Sequence, residues 1–239
     1  MNLILFFLTM NLILLSRLGL TFKDEGAQTG AILKMAAIPL IALLFMELNG
    51  TWLLLFIYLI TYPAVIVYLE KSEIHIYKHR LVTLLMHAFV VAIIFSPAFN
   101  AQLDRFFADL FFESNRHGFE SMLSFQAFLF GGLLVMNEMN IALRYSFKKL
   151  KLEPIGKLDE TITDQQYNTG RIIGMLERIF IYLFALSGQY AAIGFILTAK
   201  GIVRYKEFVN RQFAEYVLIG TLLSALFALL IAMLVRNIV

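Results

Sequence analysis

The chain of 239 residues has no cysteine, which excludes disulfides, thiolate metal sites and thiol nucleophiles. It is also poor in charge. Asp, Glu, Lys and Arg make up 15% of it, against about 25% in a globular domain. So few charges could not hold a protein of this composition in water. The net charge of +3 is modest and no basic stripe runs along the chain, so nucleic acid is not expected as a partner. Familiar motifs are missing too: no Gly-rich phosphate loop, no serine elbow, and no Asp-rich motif of the membrane prenyl or alcohol-phosphate transferase kind. No catalytic residue and no cofactor is implied.

What is abundant is apolar. These residues reach 60%, against about 45–50% in globular domains, and 23 Phe and 10 Tyr suit lipid-facing and interfacial surfaces. The fold expected is an all-α integral membrane protein, a polytopic helix bundle. No Lys or Arg precedes the first apolar run and Arg17 follows it, the reverse of a cleaved signal peptide. That order predicts an uncleaved anchor with the N-terminus outside.

A helix crosses a bilayer with about 20 apolar residues. Leu3–Leu20 is a first span; a short second, Met35–Leu48, opens at Lys34. The third, Thr51–Leu69, carries Trp52 and Tyr68 at its ends and Pro63 as a kink; the fourth, Leu81–Phe95, stops at Ser96-Pro97. Leu103, Phe106, Phe107, Leu110 and Phe111 then share one face, opposite Asp104, Arg105, Asp109 and Glu113. This predicts an amphipathic helix over 101–113, lying in the interface or packed on the bundle. The fifth span is Ser121–Leu143, whose Asn137, Glu138 and Asn140 could line a cavity or cap the helix. Residues 1–143 thus read as an N-terminal bundle of about five spans. Residues 144–171 read as a cytoplasmic basic connector (Arg144, Lys148, Lys149, Lys151, Lys157, Arg171), and 172–239 as a membrane hairpin plus a last span, Tyr216–Val235. Along that span Gly220, Ser224, Ala228 and Ala232 recur at i+4, a spacing that lets helix backbones approach closely in lipid.

The segment 172–199 decides the topology. It is too long for one ordinary span, too short for two, and interrupted by Ser187-Gly188-Gln189. If it crosses once, Lys200, Arg204, Lys206 and Arg211 land outside; if it turns back, they join the other basic loops in the cytoplasm, as the positive-inside rule favours. A helical hairpin follows, either re-entrant or of two short spans. Its arms bring Glu177, 11 residues before Gly188, level with Lys200, 12 residues after it. Charges at membrane depth are rare and paired, so Glu177–Lys200 is an expected ion pair with Arg178, Arg204 and Glu215 as neighbours. The cluster either pins helix register or lines a polar pathway.

The string Thr169-Gly170-Arg171-Ile172-Ile173-Gly174-Met175-Leu176-Glu177-Arg178 resembles the opening of a bacterial membrane-protein family catalogued as domain of unknown function 3307. The resemblance continues through Gly188-Gln189, Ile193-Gly194-Phe195, Ala199-Lys200 and Arg204-Tyr205, and closes with the run from Glu215 to Ser224. It spans roughly the last 70 residues and implies a bacterial inner-membrane protein without implying an activity. Members commonly begin with a helix carrying His, Asp and Gln, which the first helix here lacks.

His75 and His79 have the spacing of two ligands on one helix face, near Glu70 and Glu73, but no acid completes a helical zinc motif. No metal site is assigned. His87 lies inside the fourth span and is expected to bond a neighbouring helix. The leading functional expectation is a non-enzymatic membrane component, a pore or scaffold, working with a cytoplasmic protein partner at the basic loops. Its surroundings are the lipid bilayer and, in an oligomer, copies of itself. The rivals are a small transporter using the Glu177/Lys200/Glu215 cluster and a membrane-embedded enzyme acting on lipid.

Overall fold

The computed structural model describes residues 2–20, 29–70, 75–112, 116–150, 164–205, 208 and 211–238, with backbone alone at 29, 110–112, 116–117, 119 and 164–169. Among these residues the chain is helical, apart from an isolated antiparallel bridge between Met46 and Leu103. Five helical stretches are long and apolar enough to cross a membrane: Leu3–Leu20, Gly50–Glu70, Ile76–Ile94, Glu120–Leu150 and Arg211–Arg236. They suggest a membrane protein.

The chain forms two compact units, one of Met1–Leu133 with Ile238–Val239, the other of Leu134–Asn237. The division falls inside the fifth apolar segment rather than at the polar connector. In the first unit, α1 (Leu3–Arg17) begins at Asn2, whose side chain accepts the Leu5 amide at 3.3 Å. The short second span expected at Met35–Leu48 is instead α2 (Thr29–Ala37) followed by a tighter 3₁₀ run, Pro39–Phe45. The cause is Pro39, which has no N–H to offer the carbonyl four residues back. That carbonyl, on Met35, is taken by the Tyr62 hydroxyl from α3 (Gly50–Glu70). Asn49 caps α3 by accepting the Trp52 amide at 3.0 Å, and the Trp52 indole donates to the Leu43 carbonyl at 3.1 Å. Pro63 stays within α3.

After α4 (Ile76–Ile94), the short amphipathic helix α5 (Arg105–Phe112) starts where Asp104 accepts the Phe106 amide at 3.0 Å. Its Glu113 lies outside the described residues. Next, α6 (Arg116–Leu133) packs on α1, where the Asn11 amide donates to the Gln126 carbonyl at 3.0 Å and to its side-chain oxygen at 2.7 Å. The core is built by Leu5, Met10, Ile13, Leu55, Leu59 and Val91, all fully buried.

The second unit opens with a wide π-turn, Leu134–Glu138, leading into α7 (Met139–Leu150). The helix therefore runs past Arg144, where hydropathy alone would end it. Cations at a helix C-terminus suit its dipole, and Lys148 and Lys149 occupy that last turn. The connector accordingly shrinks at both ends: α8 runs Asp164–Leu186, and Lys151 and Lys157 lie outside the described residues. A turn at Ser187-Gly188 follows, with Gly188 at φ +71°, a conformation that favours glycine, and then α9 (Tyr190–Val203) and α10 (Arg211–Arg236).

The faces of α10 reverse the order of a soluble helix. Ala225, Ala228 and Ala232 are buried, while Leu218, Leu222, Leu226, Leu230 and Leu234 are exposed. Gly220 meets α7 so closely that a Cβ there would stand 2.8 Å from the Phe147 ring.

Candidate functional site

Two clusters of charge sit among these helices, and they differ in kind. The first, in the N-terminal unit, reads in the sequence as loop flanks: Arg17 ending α1, Glu70 ending α3, Arg80 near the start of α4. All three are buried. Arg80 grips Glu70 through two bonds, Nε to Oε1 at 3.0 Å and Nη2 to Oε2 at 3.3 Å, and its Nη1 donates to the Leu20 carbonyl at 2.9 Å. Arg17 donates to the Arg80 carbonyl at 2.9 Å and to the Thr83 hydroxyl at 3.1 Å. Each cation thus meets a carboxylate, a backbone carbonyl or a hydroxyl, which offsets the cost of burying it. A carboxylate closing one apolar run and an arginine opening the next is the sequence signal that could have revealed this pair.

Nearby, His87 is fully buried, bonded through Nδ1 to the Tyr58 hydroxyl and met edge-on by the Tyr62 ring at 4.7 Å. His75 and His79 lie with ring centroids 6.3 Å apart. Among the described residues no group of three or more His, Asp or Glu gathers as metal ligands would; Glu73 lies outside them.

The second cluster lines a pocket of about 160 Å³ in the C-terminal unit. Here α8 supplies Gly174, Glu177 and Arg178, and the end of α9 supplies Lys200 with Arg204 just beyond. Across from them α10 supplies Gly220, Thr221 and Ser224, and Leu143 and Phe147 of α7 close an apolar side. Lys200 forms an ion pair with Glu177, both side chains 18% exposed. Arg178 is buried and donates from Nε to the Val135 carbonyl at 3.2 Å, within the π-turn. Such a wide turn spaces its carbonyls unlike an α-helix and is where a side chain can insert into the backbone ladder. Gly174 lies beside the guanidinium, where a Cβ would stand in ordinary contact, 3.6 Å from Nη1.

Of the residues singled out in the sequence, Glu177, Arg178, Lys200 and Arg204 come together on this pocket, and Ser187, Gly188 and Gln189 form the break between α8 and α9. Glu215 does not join them. One turn into α10 it pairs with the exposed Arg211 at 2.9 Å. Partners four residues apart share a helix face, so the cation this exposed carboxylate meets is one of its own helix. Nor do Asn137, Glu138 and Asn140 line the pocket. Asn137 and Glu138 are buried in the π-turn, bonded to each other at 3.0 Å, and Asn140 is half-buried.

Chemically the pocket offers, among the described residues, three cations, one carboxylate already held by a lysine, and the hydroxyl-bearing side chains of Tyr216, Thr221 and Ser224. That set binds and orients a negative group. No family model matches the chain, and neither the curated proteins nor the solved structures yield a match.

Proposed function

We propose that the chain is a multi-pass protein of the bacterial inner membrane, N-terminus outside, acting as a non-enzymatic membrane component, with a cytoplasmic partner at its basic 144–171 stretch. The α8–α9 hairpin re-enters from the cytoplasmic side. The observation that carries the membrane reading is α10, with small residues packed inward and leucines outward. Water would favour the opposite arrangement; lipid favours this one. The hairpin is supported by the length of α9. Its 14 residues reach about 21 Å, short of the roughly 30 Å a crossing needs. The C-terminal strings quoted above are the ground for proposing kinship with the bacterial family of unknown function; that kinship supplies no activity.

The absence of cysteine provides the test of the topology. Single cysteines placed at Lys149 and Arg211 should both react with an impermeant maleimide only from the cytoplasmic side. Labelling of the two from opposite sides would falsify the hairpin.

A second reading, a conduit for a small charged solute, is favoured by a charged pocket beside a broken helix pair. Proteoliposomes separate the two. Anion flux above that of empty vesicles, lost in Arg204→Gln, makes the protein a conduit; flux equal to empty vesicles leaves it a scaffold. An enzyme acting on lipid is less well supported, because general-base work needs a free carboxylate and Glu177 is held by Lys200.

A further inference from the structure

We infer that the C-terminal pocket binds a phosphate-type oxyanion, a monoester or diester, at the depth of lipid headgroups; the depth rests on the membrane reading above. The charge balance comes first. Arg178, Lys200 and Arg204 face one carboxylate, Glu177, which Lys200 already engages. Arg178 is only 4% exposed and donates Nε to a neutral carbonyl. Among the described residues no carboxylate bridges Arg178 or Arg204. A guanidinium so far withdrawn from water favours an anion beside it, and its planar fork matches two phosphate oxygens. Thr221 and Ser224 add hydroxyl donors on the facing wall.

Size limits the occupant. At about 160 Å³ the pocket falls below the roughly 300–1,000 Å³ of sites for drug-sized ligands, so it takes a small group rather than a large molecule.

Depth points to its source. With the hairpin turn set at the bilayer midplane, Lys200 stands 12 residues from Gly188, about 18 Å along the helix. Half the hydrocarbon thickness is about 15 Å, which puts the pocket at the level of the phosphates. Ile173, Leu176, Leu218 and Leu222, each next in sequence to a lining residue, are exposed large hydrophobics that acyl chains can cover. A lipid headgroup and free phosphate share the recognised chemistry; depth favours the lipid.

The full chain in detergent micelles provides the test, read as thermal unfolding. Phosphatidylglycerol should raise Tm by about 5 °C or more at saturation, and the phosphate-free diacylglycerol should not. The rise should vanish in Arg204→Gln and shrink in Arg178→Lys, yet persist in Arg211→Gln, which removes a basic charge outside the pocket. Inorganic phosphate forms the second arm. A rise with that ion alone, showing the same variant pattern, keeps the oxyanion site and assigns it to a free ion. The inference is overturned if neither probe raises Tm of the unaltered chain, or if Arg204→Gln and Arg178→Lys respond as fully as it does. The cysteine labelling above is independent of any ligand, so a hairpin that labels correctly in a protein blind to phosphate sinks this inference alone.

Discussion

The two units handle charge in opposite ways. In the N-terminal unit Arg80 and Glu70 are 1% and 4% exposed, joined by two bonds, with further donors spent on backbone carbonyls. In the C-terminal unit Glu177 and Lys200 are each 18% exposed and share their pocket with two more cations. The first arrangement clamps the ends of α1, α3 and α4 together. The second has one carboxylate for three cations, an imbalance a purely structural cluster would avoid. Burial with mutual satisfaction marks scaffolding; partial exposure with a surplus of one sign marks a place for something else to bind.

Three sets of substitutions sharpen or break this contrast. Arg80→Met should have the largest effect. It removes the two bonds that Arg80 makes to the buried Glu70 carboxylate and should cost about 3–5 kcal/mol of stability, measured by denaturant titration of the micellar protein. Adding Glu70→Leu should return most of that loss. If Arg80→Met unfolds no more easily than the parent, the clamp is a misreading.

Breaking the pocket pair by Glu177→Gln or Lys200→Gln should cost less, about 1–2 kcal/mol, since water screens the partner left behind. Exchanging the two charges, Glu177→Lys with Lys200→Glu, should recover at least half of it. An exchange no better than either single change would mean that something other than pairing holds these positions. Smallest of all is Arg211→Gln. Its partner Glu215 is 58% exposed and Arg211 itself 92%, so the loss should stay within about 0.5 kcal/mol. A loss above about 1 kcal/mol there would put Arg211 in contact with more than its neighbour one turn on.

Much of this was legible in the residues. Apolar runs long enough to cross a bilayer mark the long helices, and Ser187-Gly188-Gln189 marks the break because only glycine takes its backbone angle cheaply. Equal spacing about that break puts Glu177 and Lys200 level. Legibility failed where side chains beyond the apolar runs fold back inside. Arg17, Glu70 and Arg80 look like solvated flanks by hydropathy, and only tertiary packing turns them inward. It failed again at Pro39, where a missing N–H divides a run that is continuous in composition, and at Arg144–Leu150, where helix propensity outlasts hydrophobicity.

The π-turn at Leu134–Glu138 makes this stretch sensitive to the count of residues as well as their kind. A wide turn closes its hydrogen bond over one residue more than an α-turn, so deleting one residue there lets the stretch close as ordinary α-helix and leaves the later positions of α7 near their present faces. Leu143 and Phe147 would still wall the pocket, but the Val135 carbonyl that Arg178 now meets would return to the α-helical ladder, with no charge touched.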